Sequence, residues 1–143
     1  MKALWCGWFV LLAGLWSGAA LAQTSSGAIP GGRGRVVALA AGGNHSCAIG
    51  QDGSVACWGS NGAGESTPPT KGAFTAVSVG AYHSCGLRSD GVAVCWGDNS
   101  YGQLMVPANT RFVALASGNV HVCGLRASGA VACWGRNVAG ETQ

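Results

Sequence analysis

An all-β fold of β-propeller-type repeats, three blades of about three strands each in an incomplete or open ring, is predicted for this 143-residue chain. Three observations carry the prediction. First, one block recurs without insertion or deletion: Gly-Gly-Asn-His-Ser-Cys from Gly42, Gly-Ala-Tyr-His-Ser-Cys from Gly80 and Gly-Asn-Val-His-Val-Cys from Gly118, a period of 80 − 42 = 118 − 80 = 38 residues. Each is followed after nine residues by Cys-Trp-Gly. Second, the stretch between the paired cysteines holds a turn that ends in glycine every time. Third, 25 glycines and only 9% charged residues leave little of any strand to face water, so the sheets must be covered on both sides.

The elements follow in chain order. Residues 1–22 combine a basic start at Lys2, an apolar run from Ala3 to Trp16 and the small-residue end Ala20-Leu21-Ala22, the pattern of a cleaved secretory signal peptide. Gly7, Gly14, Ser17 and Gly18 interrupt the run, which argues against a membrane anchor needing about 20 continuous apolar residues. Cleavage would remove Cys6 and Lys2 and leave a net charge of 7 − 5 = +2 and six cysteines. So small an excess of cations does not suit a nucleic-acid binder, and no membrane contact is expected after cleavage. Residues 23–34, rich in Gly and Ser, read as a flexible lead-in. Three repeats then span 35–72, 73–110 and 111–143.

Within a repeat, a first strand is expected at Val36 to Ala41, matched by Phe74 to Val79 and Phe112 to Ser117. A second follows from about His45 to Ile49 and a third from about Ser54 to Trp58. The turns are Gln51-Asp52-Gly53, Ser89-Asp90-Gly91 and Ala127-Ser128-Gly129. A three-residue hairpin loop wants positive φ at its last position, which glycine adopts without steric cost. Centring the turn on residue 52 sets Cys47 opposite Cys57, Ala48 opposite Ala56 and Ile49 opposite Val55. By alternation His45, Cys47, Ile49, Val55 and Cys57 share one face, and Ser46, Ala48, Ala56 and Trp58 the other. A unit with two such faces must stack on its like, around an axis or along an open solenoid.

The pattern G-x-x-H-S-C, D-G, C-W-G-x-N-x-x-G, nearly whole in Gly42 to Gly64 and Gly80 to Gly102, resembles the repeat of the regulator of chromosome condensation propeller family. The third copy, Gly118 to Gly140, departs at Val122 and Ser128. The 38-residue period, with Gly102-Gln103 and Pro107, looks most like compact, secreted bacterial propellers of that family, the propeller-type β-lactamase inhibitor among them. The resemblance implies a propeller, whose closure takes 4 to 8 blades. Three blades do not close a ring, and self-association of the chain would supply more. A fragment of a longer gene product is the other reading.

Chemical candidates are weighed against structural ones. An exported chain with opposed pairs points to disulfides Cys47–Cys57, Cys85–Cys95 and Cys123–Cys133, with zinc held by His and two Cys, or free buried thiols, as alternatives. His45, His83 and His121 are the only histidines, stamped out at one repeat position, and no nucleophile recurs beside them as a triad would require. They are read as packing against the next blade with a ring nitrogen on a backbone carbonyl. Trp58, Trp96 and Trp134 are read as filling the gaps between blades rather than stacking on sugars or bases. No metal, no cofactor and no nucleotide site are expected.

Binding residues are sought where a constant glycine frame carries variable insertions, at the end of the hairpin opposite the Asp-Gly turn. These positions are Asn44, Tyr82 and Val120; Ser60, Asp98 and Arg136; Ala63, Tyr101 and Ala139. Tyr82, Tyr101, Arg136, Asp98 and Asn44 are the candidates, since Tyr and Arg dominate interface hot spots. The expected function is a secreted or periplasmic, non-enzymatic module for protein–protein binding, an inhibitory role being one form of it. The alternative is a structural or assembly piece of a larger exported propeller protein. A propeller lyase or hydrolase ranks third, because no unique acid, base and ligand cluster exists.

Overall fold

The computed structural model describes residues 34–143. The expected signal peptide, 1–22, and the lead-in as far as residue 33 lie outside them. Nine strands form three separate three-stranded antiparallel sheets in strict sequence order, and the described residues contain no helix. The first blade holds β1 (Val36–Ala41), β2 (His45–Gly50) and β3 (Val55–Gly59); the second holds β4 (Phe74–Val79), β5 (His83–Arg88) and β6 (Ala93–Gly97). The third holds β7 (Ala114–Ser117), β8 (His121–Leu125) and β9 (Val131–Gly135). β7 starts two residues later than the sequence pattern implies; Phe112, like Phe74, donates its N–H across the blade boundary, to the Gly91 carbonyl (2.9 Å).

The hairpin register is the expected one: Cys47 faces Cys57, Ala48 faces Ala56 and Ile49 faces Val55, and the other blades repeat it. Its cause is local. Gly53, Gly91 and Gly129 close the turns at φ of 78°, 80° and 86°. The Gly53 N–H donates to the Gly50 carbonyl and the Gly50 N–H to the Ser54 carbonyl, both at 2.9 Å. The Asp52 carboxylate accepts from the Ser54 N–H (3.0 Å) and hydroxyl (2.6 Å), fixing the turn from within. With the register set, each cysteine pair is brought to a Cα separation of 4.0–4.1 Å, and all three pairs are disulfide-bonded.

The core lies between blades, not within them. The disulfide face of one blade is covered by the Trp face of the next. Cys47, with Ala40, Val55 and Cys57, packs against Val77, Val79 and Trp96; Cys85, Leu87 and Ala93 pack against Phe112, Val122 and Trp134. Backbone bonds stitch the same boundaries, from the Gly43 N–H to the Gly80 carbonyl (3.2 Å) and from the Ala81 N–H to the Asn119 carbonyl (3.1 Å). Close approach explains the block's leading glycine. A Cβ on Gly42 would overlap the Gly80 carbonyl oxygen, and one on Gly80 would overlap His83 and meet the Gly118 carbonyl at 2.7 Å.

Stacking three blades leaves an open ring with two unlike ends. Trp96 and Trp134 are 8% and 7% exposed in their gaps, whereas Trp58, on the first blade, is 39% exposed. Leu39 on the same face is exposed too, as are Leu125 and Val131 on the disulfide face of the third blade.

Candidate functional site

One backbone bond builds the variable end of every blade. The residue following the third strand donates its N–H to the carbonyl of the residue before the second: Ser60 to Asn44 (2.9 Å), Asp98 to Tyr82 (2.9 Å) and Arg136 to Val120 (3.0 Å). Variable positions far apart in sequence are thereby set side by side on a constant frame. Tyr82 and Tyr101 stand half exposed there, at 50% and 54%, and Asn44 is exposed. The Arg136 guanidinium of the third blade lies 5.7 Å from the Tyr101 ring centroid of the second, so these two meet across a blade boundary as a cation–π pair.

Asp98 differs in kind. Its Oδ1 accepts from the Ser100 hydroxyl (2.6 Å) and N–H, and its Oδ2 from the Gln103 amide (2.7 Å). The Ser100 hydroxyl bond leads in holding this carboxyl below the usual carboxylate range. The same repeat position in the first blade, Ser60, donates to the Glu65 carboxylate at 2.7 Å. Donor and acceptor have exchanged places between Ser60–Glu65 and Asp98–Gln103. In the third blade Glu141 also sits below its ordinary value, held there chiefly by hydrogen bonds from its own N–H and from that of Ala139. Divergence at Ser60 and Asp98 thus has a structural cause: it follows the hydrogen-bond partner five residues on. No side-chain hydrogen bond among the described residues accounts for the divergence at Tyr82 and Tyr101.

Glu65 and Gln103 are fully buried and connect this end to the core. Burial pushes the Glu65 pKa up, yet hydrogen bonds from Ser60, its own backbone and the Ala63 N–H outweigh this and leave it below the ordinary value. Its backbone carbonyl accepts from Trp96 Nε1 (2.9 Å) and the Ser84 hydroxyl (3.2 Å) of the following blade. Gln103 does the same for Trp134 Nε1 at 3.0 Å. The indole N–H is therefore a bolt between blades, which the tryptophan reading from sequence did not contain.

His45 Nε2 lies 2.8 Å from the Ser84 hydroxyl. A carbonyl can only accept, so Ser84 donates to Glu65 and His45 Nε2 carries the proton toward Ser84. The expected backbone-carbonyl partner for histidine is replaced by this cross-blade hydroxyl. A Ser–His pair invites a nucleophile reading, but the Ser84 side chain is fully buried and its proton is held by a carbonyl rather than by the imidazole. One repeat on, the position of Ser84 is occupied by Val122. Both nitrogens of the fully buried His83 consequently lack a partner. Burial first, then the His45 and His121 charges, push the His83 pKa down to about 4.

The thiols that a zinc site would need are consumed in disulfides, and among the described residues no three His, Cys, Asp or Glu side chains are placed to hold a metal ion. Ser84→Ala is expected to lower stability by about 2 kcal/mol, measured by urea unfolding, since it strands the buried His45 N–H. No change would show that the hydroxyl contributes nothing to the boundary.

Residues 36–65, 74–103 and 112–141 each match the regulator of chromosome condensation (RCC1) repeat. The chain belongs to the RCC1 repeat family. Solved structures agree with the fold of an RCC1-repeat protein. The ectodomain of the Physcomitrella patens receptor kinase CR4 is 33% identical, covering 71% of this chain and 28% of that one, with a TM-score of 0.61. The ectodomain of the Arabidopsis thaliana receptor kinase ACR4 is 27% identical over 76% of this chain and 42% of that one (TM-score 0.62). Prp20p of Saccharomyces cerevisiae, whose structure was described with its binding to Gsp1p and histones, shares 19% identity over 71% of this chain and 33% of its own (TM-score 0.64), a likeness of fold alone. This RCC1-repeat chain spans less than half the length of each. No curated protein matches it.

Proposed function

We propose that this chain is an exported, non-enzymatic RCC1-repeat module that binds another protein through the variable end of its blades, with Tyr82, Tyr101 and Arg136 as the contact centre. The observation that carries the reading is the pairing of half-exposed Tyr101 with Arg136 across a blade boundary, beside half-exposed Tyr82. Rigid aromatic surface on a fixed frame loses little entropy on binding, which is why Tyr and Arg concentrate binding energy. Three disulfides fit an oxidising compartment, secreted or periplasmic. No helix among the described residues is long and apolar enough to cross a membrane. Relatives such as Prp20p, described with protein partners, lend the binding class support. The sequence resemblance to a propeller-type β-lactamase inhibitor makes a secreted hydrolase, or an envelope protein, the partner class, with inhibition as the outcome of binding. Closure of the ring by a second copy belongs to the same reading.

A structural piece of a larger propeller protein is the second reading, favoured by the bare apolar surface at Leu39, Leu125 and Val131. The separating experiment is affinity capture of exported proteins followed by titration of the purified partner. Replacing Tyr82 and Tyr101 together by Ala should weaken binding by about 30-fold or more, as hot-spot truncations of at least ~2 kcal/mol do, with the unfolding midpoint nearly unchanged. Asp52→Ala and Asp90→Ala, at the opposite end, should leave affinity as it was. Loss of binding in the turn variants with retention in the tyrosine variant would move the site to the turn end, where a groove of about 460 Å³ lies beside Pro107 and Arg111. Finding no specific partner would favour the structural piece.

A further inference from the structure

We infer that the chain assembles head to tail with a second copy of itself, the Ser46 and Trp58 face of one copy closing on the His121 and Glu141 face of the next. The inference deepens the closure reading above and is independent of the tyrosine-centred site. Its template is the boundary between the first and second blades, where His45 meets Ser84, Ser84 meets the Glu65 carbonyl, and Trp96 Nε1 meets the same carbonyl. Advanced by two repeats, the two first-blade elements, His45 and the Glu65 carbonyl, become His121 and the Glu141 carbonyl. Moved back by one repeat, the donor-side elements become Ser46 and Trp58. Each end of the array thus carries half of one bonding set, and the halves are complementary.

Both halves are already shaped. The Glu141 carboxylate accepts the Ala139 N–H at 2.7 Å, as the Glu65 carboxylate accepts the Ala63 N–H at 2.8 Å. The Thr142 N–H donates to Asn137 Oδ1 as the Ser66 N–H does to Asn61 Oδ1. The last loop therefore holds its carbonyl in the conformation that receives an indole within the chain. On the same blade an apolar hollow of about 270 Å³ is lined by Leu115, Cys123, Leu125 and Val131. The equivalent surface of the second blade is filled by Trp134, Phe112 and Val122. On the opposing end Trp58 and Leu39 are the exposed apolar residues of the correct face.

The serine discriminates between occupants. At the second boundary Val122 stands opposite His83 and leaves it unpartnered, so that boundary is the poorer one. Ser46 is retained at the end of the array, where no described residue pairs with it and where only a histidine-bearing blade face uses it. A contact between unlike faces is heterologous: it makes a ring where the rotation closes and an open chain where it does not.

Mixing variants tests this. The wild-type chain should show by light scattering a mass of at least two chains that falls on dilution. Val131→Arg blocks the third-blade face and Trp58→Ala the first-blade face. Each alone should be monomeric, while an equimolar mixture should form a one-to-one dimer through the two intact faces. Leu39→Arg, at an exposed site, repeats the first-face arm should Trp58→Ala disturb folding. The tyrosine double variant should assemble as the wild type does, which keeps this outcome separate from that of the partner site. A wild-type monomer at every concentration, assembly by either single-face variant alone, or failure of the mixture to dimerise would overturn the inference.

Discussion

Reduction of the three disulfides is expected to unfold the chain at neutral pH. Each bridge joins residues ten apart, and the chain-entropy account assigns a loop of that size about 2–3 kcal/mol. Three together approach roughly 6–9 kcal/mol, comparable to the whole stability of a small domain at about 5–15 kcal/mol. A single blade has little of its own to set against the loss, because the large core residues Trp96, Phe112 and Trp134 pack across boundaries against the disulfide face of the preceding blade. Circular dichroism after reduction and alkylation should show the β signal and the cooperative melt gone. Replacing Cys85 and Cys95 by Ser should cost more than replacing Cys123 and Cys133, since the second blade is packed on both faces and Cys85 is fully buried. A reduced chain that still melts cooperatively would show that stacking, not cross-linking, holds the array.

Mild acid should weaken the fold before its carboxylates titrate. His83 has a folded pKa of about 4, and the ordinary histidine value is 6.5. The unfolded chain therefore takes up the proton first. The stability tied to keeping His83 neutral is whole above pH 6.5, falls as pH drops through the interval, and is fully lost near pH 4. Over 2.5 units the loss is about 3 kcal/mol. His45, also lowered chiefly by burial, acts in the same direction. The charges of His45 and His121 oppose protonation of His83 and that of Asp98 favours it. Glu65, Asp98, Asp52 and Glu141 all sit below their ordinary values and resist loss until lower pH. Urea midpoints between pH 7 and 4 should fall in the wild type and flatten in His83→Leu, which removes two unpartnered nitrogens. An equal slope in both proteins would place the titration elsewhere.

The interior of each blade was legible because its determinants are local. Gly53 and Asp52 fix the turn, the turn fixes the register, and the register brings Cys47 to Cys57. The boundaries between blades were not, for their bonds join Glu65 to Trp96 and His45 to Ser84, 31 and 39 residues apart, through a rotation that no hairpin pattern encodes. The departure at Val122 was visible in the repeat, but its effect on His83 appears only once the second blade is laid on the third. The exposed tyrosines were accessible to the same logic of fixed frame and variable insertion. The hydrogen bond from Gln103 to Asp98 was not legible, since it depends on how the loop folds back on itself.

Every side-chain bond that Trp96, Trp134 and Ser84 make to a boundary carbonyl runs from a later blade to an earlier one. A nascent or translocating chain emerges in that same order. The Glu65 carbonyl, closed into its loop by contacts no further away than Ser60, is complete before Trp96 has been delivered. On this bonding order each blade can serve as the mould for its successor, like a row of tiles laid from one wall. What waits on the earlier blade is the His45 imidazole and the disulfide face around Cys47, uncovered until Ser84 and Trp96 arrive, whereas threading from the far terminus would present each indole to a carbonyl that does not yet exist.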